Sequence, residues 1–437
     1  MSSTNVFEYQ NAQLFCEGRN VDELAKKVGT PFYLYSKKSF LDKYNAIKDA
    51  FKAIDPLICY SVKTCGNINI LAQLINAGAG MDVVSGGELF RALEAGADPK
   101  KIVFAGIGKT DAEIEYALEM GIGWFNIESE AEFENISRLA KERNLSVNAA
   151  LRVNPDVYDS RTHEKTMTGH RGSKFGVDIE RATDFFKNAG TNKHCKVNGI
   201  HFHLGSPIYT PEPYVLAIGK VMILLGKLKN LGIHIDTINI GGGYAADYTT
   251  GLAPQALDYA EAIIPLLAPF VAEGGRVIME PGRSISASSG VLISKVLYLK
   301  EGGGKKFAVL DAGMSQLIRP ALYDAFHFIW PTKVDALQVP KGLLQEMDLP
   351  GLEKYHITGP ICESSDYLAR DRSLPRLKPS ELICIFTSGA YGMVMASQYN
   401  AVPRPPEILV DGEKAFVIRE RETLHTLTEL ERDKRTI

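Results

Sequence analysis

The chain has 437 residues, a formal net charge of −3 at pH 7 and no basic run, which excludes nucleic acid and anionic membrane surfaces as expected partners. Hydrophobic residues make up 45% and charged residues 23%, as in ordinary soluble proteins, so a small molecule is the expected partner. The amino terminus lacks a cationic segment followed by an apolar core, and no stretch is long and apolar enough to span a bilayer. We therefore expect a cytoplasmic protein whose six scattered cysteines are thiols.

Short apolar runs alternate with amphipathic segments through the first two thirds of the chain. A strand over 30–36 and a helix from Ser39 to Ala53 come first. Eight runs then predict parallel strands at 57–63, 80–85, 102–106, 124–128, 148–154, 197–204, 237–242 and 276–281. Helices fit between them, as at Gly87–Ala95, Ala112–Met120, Glu130–Arg143, Pro213–Leu231 and Ala256–Glu273. This repetition is typical of a TIM-like (β/α)8 barrel. A Rossmann-like sheet is the alternative, but no G-x-G-x-x-G follows the first strand.

The pattern changes after Ile285. β-type runs follow one another without regular helices, at Val291–Leu299, Lys306–Leu310, Lys354–Ile357, Leu382–Phe386 and Ala415–Ile418. This predicts a second, mostly antiparallel β domain, completed by the amino-terminal strand. The expected organisation is a barrel over residues 36–285 and a β domain formed by 1–35 and 286–437.

Lys63 ends the first barrel run and is the first candidate for chemistry. A strand that is apolar on both faces is buried in a parallel sheet, so Lys63 emerges at the carboxyl edge. There, with little water around it, an amine can lose its proton and attack a carbonyl to form a Schiff base. The other interpretation is a lysine that merely extends its amine to solvent.

Polar groups also end neighbouring strands, at the edge where barrel enzymes keep their catalytic residues. They are Asp82, Asn154, His203, Gly241-Gly-Gly243 and Glu280-Pro-Gly-Arg283. The glycine triplet offers backbone amides to a phosphate and Arg283 can pair with it, although a tight turn also explains the glycines. Glu280 ends an apolar strand and needs a partner to stay charged, either a pyridinium nitrogen or a barrel lysine or arginine.

His201 and His203 place two imidazoles on one face of a strand. Such a pair is compatible with a metal-dependent hydrolase. No further His or Asp cluster with ligand spacing accompanies it, so no metal is expected. One imidazole stacked on a planar cofactor fits the same geometry.

Further candidates fall in the predicted β domain. Cys362 and Glu363 are adjacent in a Gly/Pro-flanked loop, and a thiol beside acids suits a proton donor better than a nucleophile. A merely buried cysteine is the alternative. Arg319 and Tyr323 stand four residues apart and can hold a carboxylate together. Tyr391 adds a phenol in another loop.

Together these motifs resemble those of the diaminopimelate decarboxylase family, which belongs to the alanine-racemase-like, barrel-plus-β-domain enzymes that bind pyridoxal phosphate. The resemblance runs in order from about residue 30 to 412. It rests on Tyr60-Ser-Val-Lys63, Asp82-Val-Val-Ser-Gly-Gly-Glu88-Leu, Ser173-Lys-Phe-Gly176, His201-Phe-His203-Leu-Gly-Ser206, Gly241-Gly-Gly243, Glu280-Pro-Gly-Arg283, Asp311-Ala-Gly313, Cys362-Glu-Ser-Ser-Asp366 and Gly389-Ala-Tyr391-Gly.

The resemblance implies a pyridoxal 5'-phosphate cofactor carried by Lys63, with His203 stacked on its ring and Glu280 facing its pyridine nitrogen. These three residues and the proton donor Cys362 form the implied catalytic set. The implied cofactor-binding set is Lys63, Asp82, His203, Ser206, Gly242, Gly243, Glu280, Pro281, Gly282, Arg283 and Tyr391.

The resemblance also implies a substrate, meso-2,6-diaminopimelate, and its decarboxylation to L-lysine and carbon dioxide, the last step of lysine biosynthesis. Arg319 and Tyr323 match contacts to the distal carboxylate and Glu363 a contact to the distal amine. Arg283 and Tyr391 match further substrate contacts. Cys362 and Glu363 are expected to reach the cofactor of the partner subunit, so a head-to-tail homodimer would share its active sites.

The chain departs from the usual family pattern at a few positions. Ser61, Thr64 and Cys65 stand where relatives often show a run like Ala-x-Lys-Ala-Asn. Pro207 replaces a usual Gln, and Gln398 replaces a usual Asn. These departures concern rates and fine cofactor contacts more than reaction type.

Two alternative functions stay open. An ornithine- or arginine-type decarboxylase of the same fold would act on a substrate without a distal carboxylate, and Arg319 and Glu363 argue against it. A non-catalytic, cofactor-binding homologue is disfavoured because Lys63, Glu280 and Cys362 are all retained.

Overall fold

The computed structural model describes residues 6–433, which form two compact units. The first consists of Leu41–Ala246 and Ala253–Ile285. The second consists of the chain up to Phe40, the segment Asp247–Leu252 and the chain from Ser286 onward. Residues 1–5 and 434–437 of the expected β domain lie outside the described residues. None of the helices within 6–433 is long and apolar enough to cross a membrane.

Parallel strands close into a barrel in the first unit. Numbered β1 to β8 in chain order, they are Leu57–Ser61, Gly80–Val83, Ile102–Phe104, Trp124–Ile127, Val147–Asn154, Cys195–His201, Thr237–Asn239 and Arg276–Met279. Each strand pairs with the next, and β8 pairs with β1, so these eight strands form a closed barrel. The two-residue strand Val177–Asp178 pairs with the end of β5 outside this ring. The predicted barrel is confirmed, and the open Rossmann-like sheet is wrong.

Helices alternate with the barrel strands. They are Ile68–Asn76, Gly86–Glu94, Asp111–Met120, Glu130–Glu142, Ile179–Ala189, Glu212–Asn230 and Ala256–Ala272, with Lys37–Ala50 before β1 and the short Arg283–Ser286 after β8. The helices after β2, β3 and β4 begin at a hydroxyl, since Ser85, Thr110 and Ser129 each accept a hydrogen bond from the backbone N–H three residues later. These caps define the short loops that follow the carboxyl ends of the strands.

Some barrel strands end earlier than predicted. β1 stops at Ser61, so Lys63 lies in the one-turn 3₁₀ helix Val62–Thr64 that follows it. β6 ends at His201, although Phe202 and Leu204 are as buried as the strand itself. Residues of the loops after β1 and β6 are buried, so the apolar pattern continues past the last hydrogen bond of each strand.

The second unit contains a mixed sheet whose pairings are mostly antiparallel. In spatial order its strands are Tyr367–Pro375, Leu352–Thr358, Lys305–Leu310, Gly290–Gly302, Phe32–Ser36, Glu407–Asp411 and Lys414–Arg419. Leu382–Ile385 branches from this row and pairs with both Gly290–Gly302 and Ile329–Pro331. The predicted second, mostly antiparallel sheet is confirmed, with two parallel pairings inside it.

The amino-terminal strand Phe32–Ser36 lies in the middle of this sheet. It pairs antiparallel with Gly290–Gly302 and parallel with Glu407–Asp411, and all of its residues are buried. The preceding strands Phe7–Gln10, Gln13–Cys16 and Arg19–Asn20 form a small antiparallel sheet, followed by helix Val21–Val28. Helix Arg319–Tyr323 completes the unit's α-helices among the described residues.

Candidate active site

Lys63 points toward the carboxylate of Asp82 at the carboxyl edge of the barrel. Its Nζ lies 2.6 Å from Oδ2 of Asp82, a residue of β2, and β2 pairs with β1 just before the turn that carries Lys63. Asp82 is fully buried whereas 34% of the Lys63 side chain is exposed. Burial raises the pKa of Asp82, and the charge of Lys63 together with a hydrogen bond from Ser61 opposes that rise. The amine is therefore accessible from the barrel mouth while held by a buried acid.

Glu280 follows β8 and is buried beside two amides. Its Oε1 accepts hydrogen bonds from Asn126 Nδ2 at 2.9 Å and Asn239 Nδ2 at 2.6 Å. His201 Nε2 lies 3.3 Å from Oε2. Burial opposes ionisation, but His201, Lys63 and the Asn239 amide outweigh it and hold the pKa of Glu280 well below its usual range. A buried carboxylate thus stays charged at the barrel edge.

Asn126 and Asn239 are site residues that the sequence analysis missed. Each is the third residue of its barrel strand, β4 or β7, and each is fully buried. A polar residue inside an otherwise apolar run was the available signal, because a buried amide requires hydrogen-bond partners. In the structure, both amides donate to the same carboxylate oxygen, Oε1 of Glu280.

His203 is held as a neutral imidazole. The backbone N–H of Gly242 donates to His203 Nδ1 at 3.2 Å, which leaves the ring proton on Nε2. Burial, followed by the charges of Arg152 and Lys63, lowers the pKa of His203 well below its usual range. Hydrogen bonding and electrostatics therefore favour the same uncharged form.

The glycine triplet after β7 needs glycine both for its turn and for close packing. Gly241 and Gly243 have φ angles of 65° and 108°, in the region that favours glycine. A Cβ on Gly242 would lie 2.0 Å from the carbonyl oxygen of Glu280, and one on Gly243 would lie 2.3 Å from that of Gly205. Any side chain here would push the loops apart.

The segment Pro281-Gly282-Arg283 approaches the same edge. A Cβ on Gly282 would lie 2.5 Å from Thr64 Cγ2, and the Pro281 carbonyl accepts a hydrogen bond from Ser61 N at 3.1 Å. Arg283 Nε donates to Ser206 Oγ at 2.9 Å. The guanidinium and the hydroxyl expected at the cofactor phosphate are thus neighbours.

Pro207 and Gln398, two of the departures from the family pattern, make contacts of their own. The Pro207 carbonyl accepts a hydrogen bond from Thr162 Oγ1 at 2.6 Å. Gln398 Nε2 donates to Glu422 Oε2 at 2.9 Å. Gln398 therefore helps to tie its loop to the segment that carries Glu422.

The barrel edge fits the pyridoxal phosphate that the resemblance implies. Within residues 6–433, the buried Asp82 Oδ1 and Asn126 Oδ1 have no hydrogen-bond partner, which suits a polar ligand at this edge. The chemistry of the candidate site residues matches such a ligand as well, since they provide an amine, an ionised carboxylate, a neutral imidazole and a glycine loop near an arginine. The same part of the chain contains no group of three or more His, Cys, Asp or Glu side chains that could hold a metal ion.

Arg319 and Tyr323 lie in the second unit, at the two ends of one short helix. Arg319 is buried, with its Nη1 2.8 Å from His327 Nε2 and its guanidinium carbon 4.7 Å from the centre of the Tyr248 ring. The four-residue spacing read from the sequence does correspond to a helical turn.

Cys362 and Glu363 lie in an exposed loop of the second unit, so the alternative of a buried cysteine is wrong. Cys362 N donates to Asn400 Oδ1 at 2.8 Å. Asp366 holds the loop by accepting hydrogen bonds from Met314 N at 2.6 Å and Ile361 N at 2.7 Å. Two acceptors, the Asn400 amide oxygen and the Asp366 carboxylate, therefore fix the loop that carries the thiol.

Tyr391 occupies a separate loop of the second unit, after strand Leu382–Ile385. Its φ of 55° is unusual for a tyrosine and shows that the loop conformation there is tightly specified.

Glu88 titrates near neutral pH beside this site. It lies in the first turn of helix Gly86–Glu94, where its Oε2 accepts a hydrogen bond from Val84 N at 2.9 Å. Burial raises the pKa of its carboxyl from 4.5 to about 7, although Lys63 and the Val84 N–H oppose the rise. Because the folded chain binds this proton more tightly than the unfolded chain, Glu88 makes folding less favourable as the pH rises through that interval.

Glu88→Gln should therefore flatten the pH dependence of stability. Glutamine keeps an acceptor for Val84 N and removes the buried charge. We expect the variant and the wild type to be equally stable near pH 4.5, and the variant to be more stable by on the order of 2 kcal/mol at about pH 8. Denaturant unfolding followed by circular dichroism across this range measures the difference. Parallel curves for the two proteins would contradict the buried titration.

Comparison with known proteins supports a pyridoxal-binding domain in this part of the chain. Residues 37–287 match the family model described as "Pyridoxal-dependent decarboxylase, pyridoxal binding domain". The chain therefore belongs to the pyridoxal-dependent decarboxylases.

Relatives that align over nearly the whole chain identify the family within this class. Diaminopimelate decarboxylase of Vibrio cholerae is 40% identical over 426 residues, covering 97% of this chain and 98% of the relative. That of Pseudomonas aeruginosa is also 40% identical, with the same coverage. The solved structure of the M. jannaschii diaminopimelate decarboxylase in complex with L-lysine has a TM-score of 0.91 and 36% identity, and 99% of each chain is covered. Within the class, the chain belongs to the diaminopimelate decarboxylase family.

Proposed function

We propose that this chain decarboxylates meso-2,6-diaminopimelate to L-lysine and carbon dioxide with pyridoxal 5'-phosphate as its cofactor. The observation that carries the proposal is the barrel edge, where the Lys63 amine lies 2.6 Å from Asp82 and Glu280 is buried as a carboxylate. Full-length identity of 40% to diaminopimelate decarboxylases supports the choice of substrate. A lysine/ornithine decarboxylase structure from Vibrio vulnificus is only 23% identical and shares the fold alone.

In this proposal Lys63 carries the cofactor through its amine. Ser206, Gly243, Gly282, Arg283 and Tyr391 bind the phosphate, while Asp82, Gly242 and Pro281 complete the contacts to the cofactor. The hydrogen bond from Arg283 to Ser206 supports a shared phosphate-binding role for these two residues. Within the glycine triplet, Gly241 N donates to Asn239 Oδ1 and Gly242 N to His203 Nδ1, so Gly243 N is the backbone donor proposed for the anion.

Bound pyridoxal phosphate supplies an electron sink for the electron pair that the departing carboxylate leaves behind. Glu280, ionised and fixed by Asn126 and Asn239, keeps a proton on the ring nitrogen. His203 packs on the ring as a neutral imidazole and adds no competing positive charge. The chain's own contribution is thus to hold charge and protonation states in place before the substrate arrives.

The substrate is held at its far end by groups of the second unit. Arg319 and Tyr323 bind the distal carboxylate, and Glu363 binds the distal amine. Arg283 and Tyr391 add contacts to the substrate. Cys362 then returns a proton to the carbon that has lost its carboxylate.

We further propose that the active site is shared between subunits of a head-to-tail homodimer in the cytoplasm. The exposure of Cys362 and Glu363 in a single chain supports their reaching a partner's cofactor. In this arrangement residues 1–35 and 286–437 complete the active site of the barrel over residues 36–285.

Carbon dioxide release by the cofactor-loaded protein tests the reaction. We expect strong preference for meso-diaminopimelate, with L-lysine as product, over L-ornithine, L-arginine and L-lysine as substrates. Preference for ornithine or arginine would keep the roles of Lys63 and Glu280 but contradict the distal-carboxylate assignment of Arg319. Release from none of them would favour the non-catalytic homologue.

A further inference from the structure

The Arg319 guanidinium contacts two aromatic side chains of the second unit, those of His327 and Tyr248. Its Nη1 lies 2.8 Å from Nε2 of His327, and its guanidinium carbon stands 4.7 Å from the centre of the Tyr248 ring. The rings of Tyr248 and His327 also touch, edge to face, with centres 5.4 Å apart. Tyr248 belongs to the segment Asp247–Leu252, which leaves the barrel sequence to join the second unit. Each of the three side chains therefore contacts the other two.

The hydrogen bonds define the protonation state of His327. Its Nδ1 lies 2.9 Å from the carbonyl oxygen of Phe386, and a carbonyl only accepts, so Nδ1 carries the proton. A guanidinium only donates, so Nε2 accepts from Arg319. His327 is buried and neutral in this tautomer, and its Nε2 lone pair orients one edge of the Arg319 guanidinium.

We propose that His327 and Tyr248 are positioning residues that aim Arg319 at the distal carboxylate of the substrate and thereby set the preference for ligands that carry it. The inference rests on the proposed function, in which Arg319 binds that group. A neutral imidazole acceptor and an aromatic face orient the guanidinium, and neither of these two groups carries a negative charge.

The product and its decarboxylated analogue isolate this one group. The carboxylate that leaves is the one on the reacting carbon, so L-lysine retains the distal carboxylate of diaminopimelate. Cadaverine is L-lysine without that carboxylate. A residue that aims Arg319 affects binding of L-lysine and leaves binding of cadaverine unchanged.

A pair of variants separates the acceptor at Nε2 from the rest of the side chain. His327→Asn keeps an amide donor near the Phe386 carbonyl but has no acceptor at the place of Nε2, whereas His327→Gln extends an amide oxygen there. In His327→Asn we expect the Kd of L-lysine and the KM of meso-diaminopimelate to rise about tenfold, with kcat and the Kd of cadaverine within about twofold of wild type. His327→Gln should recover most of the lost affinity.

A second pair protects the test against a variant that fails to fold. Tyr248→Leu removes the aromatic face under the guanidinium and should weaken the binding of L-lysine selectively, while Tyr248→Phe keeps the face and should recover most of that affinity. Binding is measured on the holoenzyme by calorimetry.

The outcomes distinguish this inference from the proposed function. Wild type that binds L-lysine no better than cadaverine, or releases no carbon dioxide from diaminopimelate, contradicts the proposed function itself. A second outcome overturns only the positioning role. In that outcome the wild type prefers L-lysine as expected, but His327→Asn keeps this preference or loses affinity for L-lysine and cadaverine by the same factor. Equal losses in His327→Asn and His327→Gln overturn it as well.

Discussion

Lys63→Ala is expected to abolish decarboxylation and the visible absorption of the bound cofactor. The lysine amine, 2.6 Å from Asp82, is the only group proposed to hold the cofactor covalently, and alanine leaves no nucleophile in its place. We expect turnover to fall by on the order of 10⁴-fold or more. Absorption spectroscopy of the protein incubated with pyridoxal phosphate, together with carbon dioxide release, measures both effects.

Lys48→Ala is the matched control for this experiment, since Lys48 is an exposed lysine of helix Lys37–Ala50. Its spectrum and turnover should equal those of wild type. Circular dichroism should show that both variants are folded. A Lys63→Ala protein with the wild-type visible spectrum would remove Lys63 from the cofactor site.

Cys362→Ala should lower kcat by about 10²- to 10³-fold, the range expected for loss of a proton donor. The visible spectrum should not change, because Cys362 is not among the residues proposed to bind the cofactor. Ser364→Ala, an exposed change in the same loop, should retain wild-type kcat. Full activity in Cys362→Ala would exclude the thiol as the proton donor.

Mixing the two inactive proteins tests whether sites are shared. If each site uses Lys63 of one subunit and Cys362 of the other, a mixed dimer contains one intact site and one doubly altered site. Subunit exchange between Lys63→Ala and Cys362→Ala should then restore up to about a quarter of wild-type activity, because half of the dimers are mixed. No recovery after demonstrated exchange would place both residues in the same subunit's site.

The barrel could be predicted because its strands are buried on both faces. Such strands read as continuous apolar runs, and eight of them were located from the sequence. Their ends could not be located as well. The loops after β1 and β6 are buried too, so hydrophobicity does not distinguish the last ladder residue, Ser61 or His201, from the covered residues that follow.

The candidate site was predictable where chemistry follows directly from a strand end, as at Lys63, Asp82 and Glu280. The groups that control those residues were harder to find. Asn126 fixes Glu280 across 154 positions of sequence, and Tyr248 contacts Arg319 from the separate segment Asp247–Leu252. Such contacts depend on how distant segments meet, which local periodicity does not encode. The functional roles of all of these residues stay predictions until the variants are measured.

The central position of strand Phe32–Ser36 has a consequence for synthesis on the ribosome. Both of its neighbours, Gly290–Gly302 and Glu407–Asp411, are made long after it. At about 5–20 residues per second, the barrel is fully translated while this apolar strand still lacks both partners. The strand spends that time with two unpaired edges, a state prone to association with other nascent chains. Protection by a chaperone during translation is therefore worth most at the amino-terminal end of this chain, and truncation before residue 407 leaves one edge of the strand unpaired.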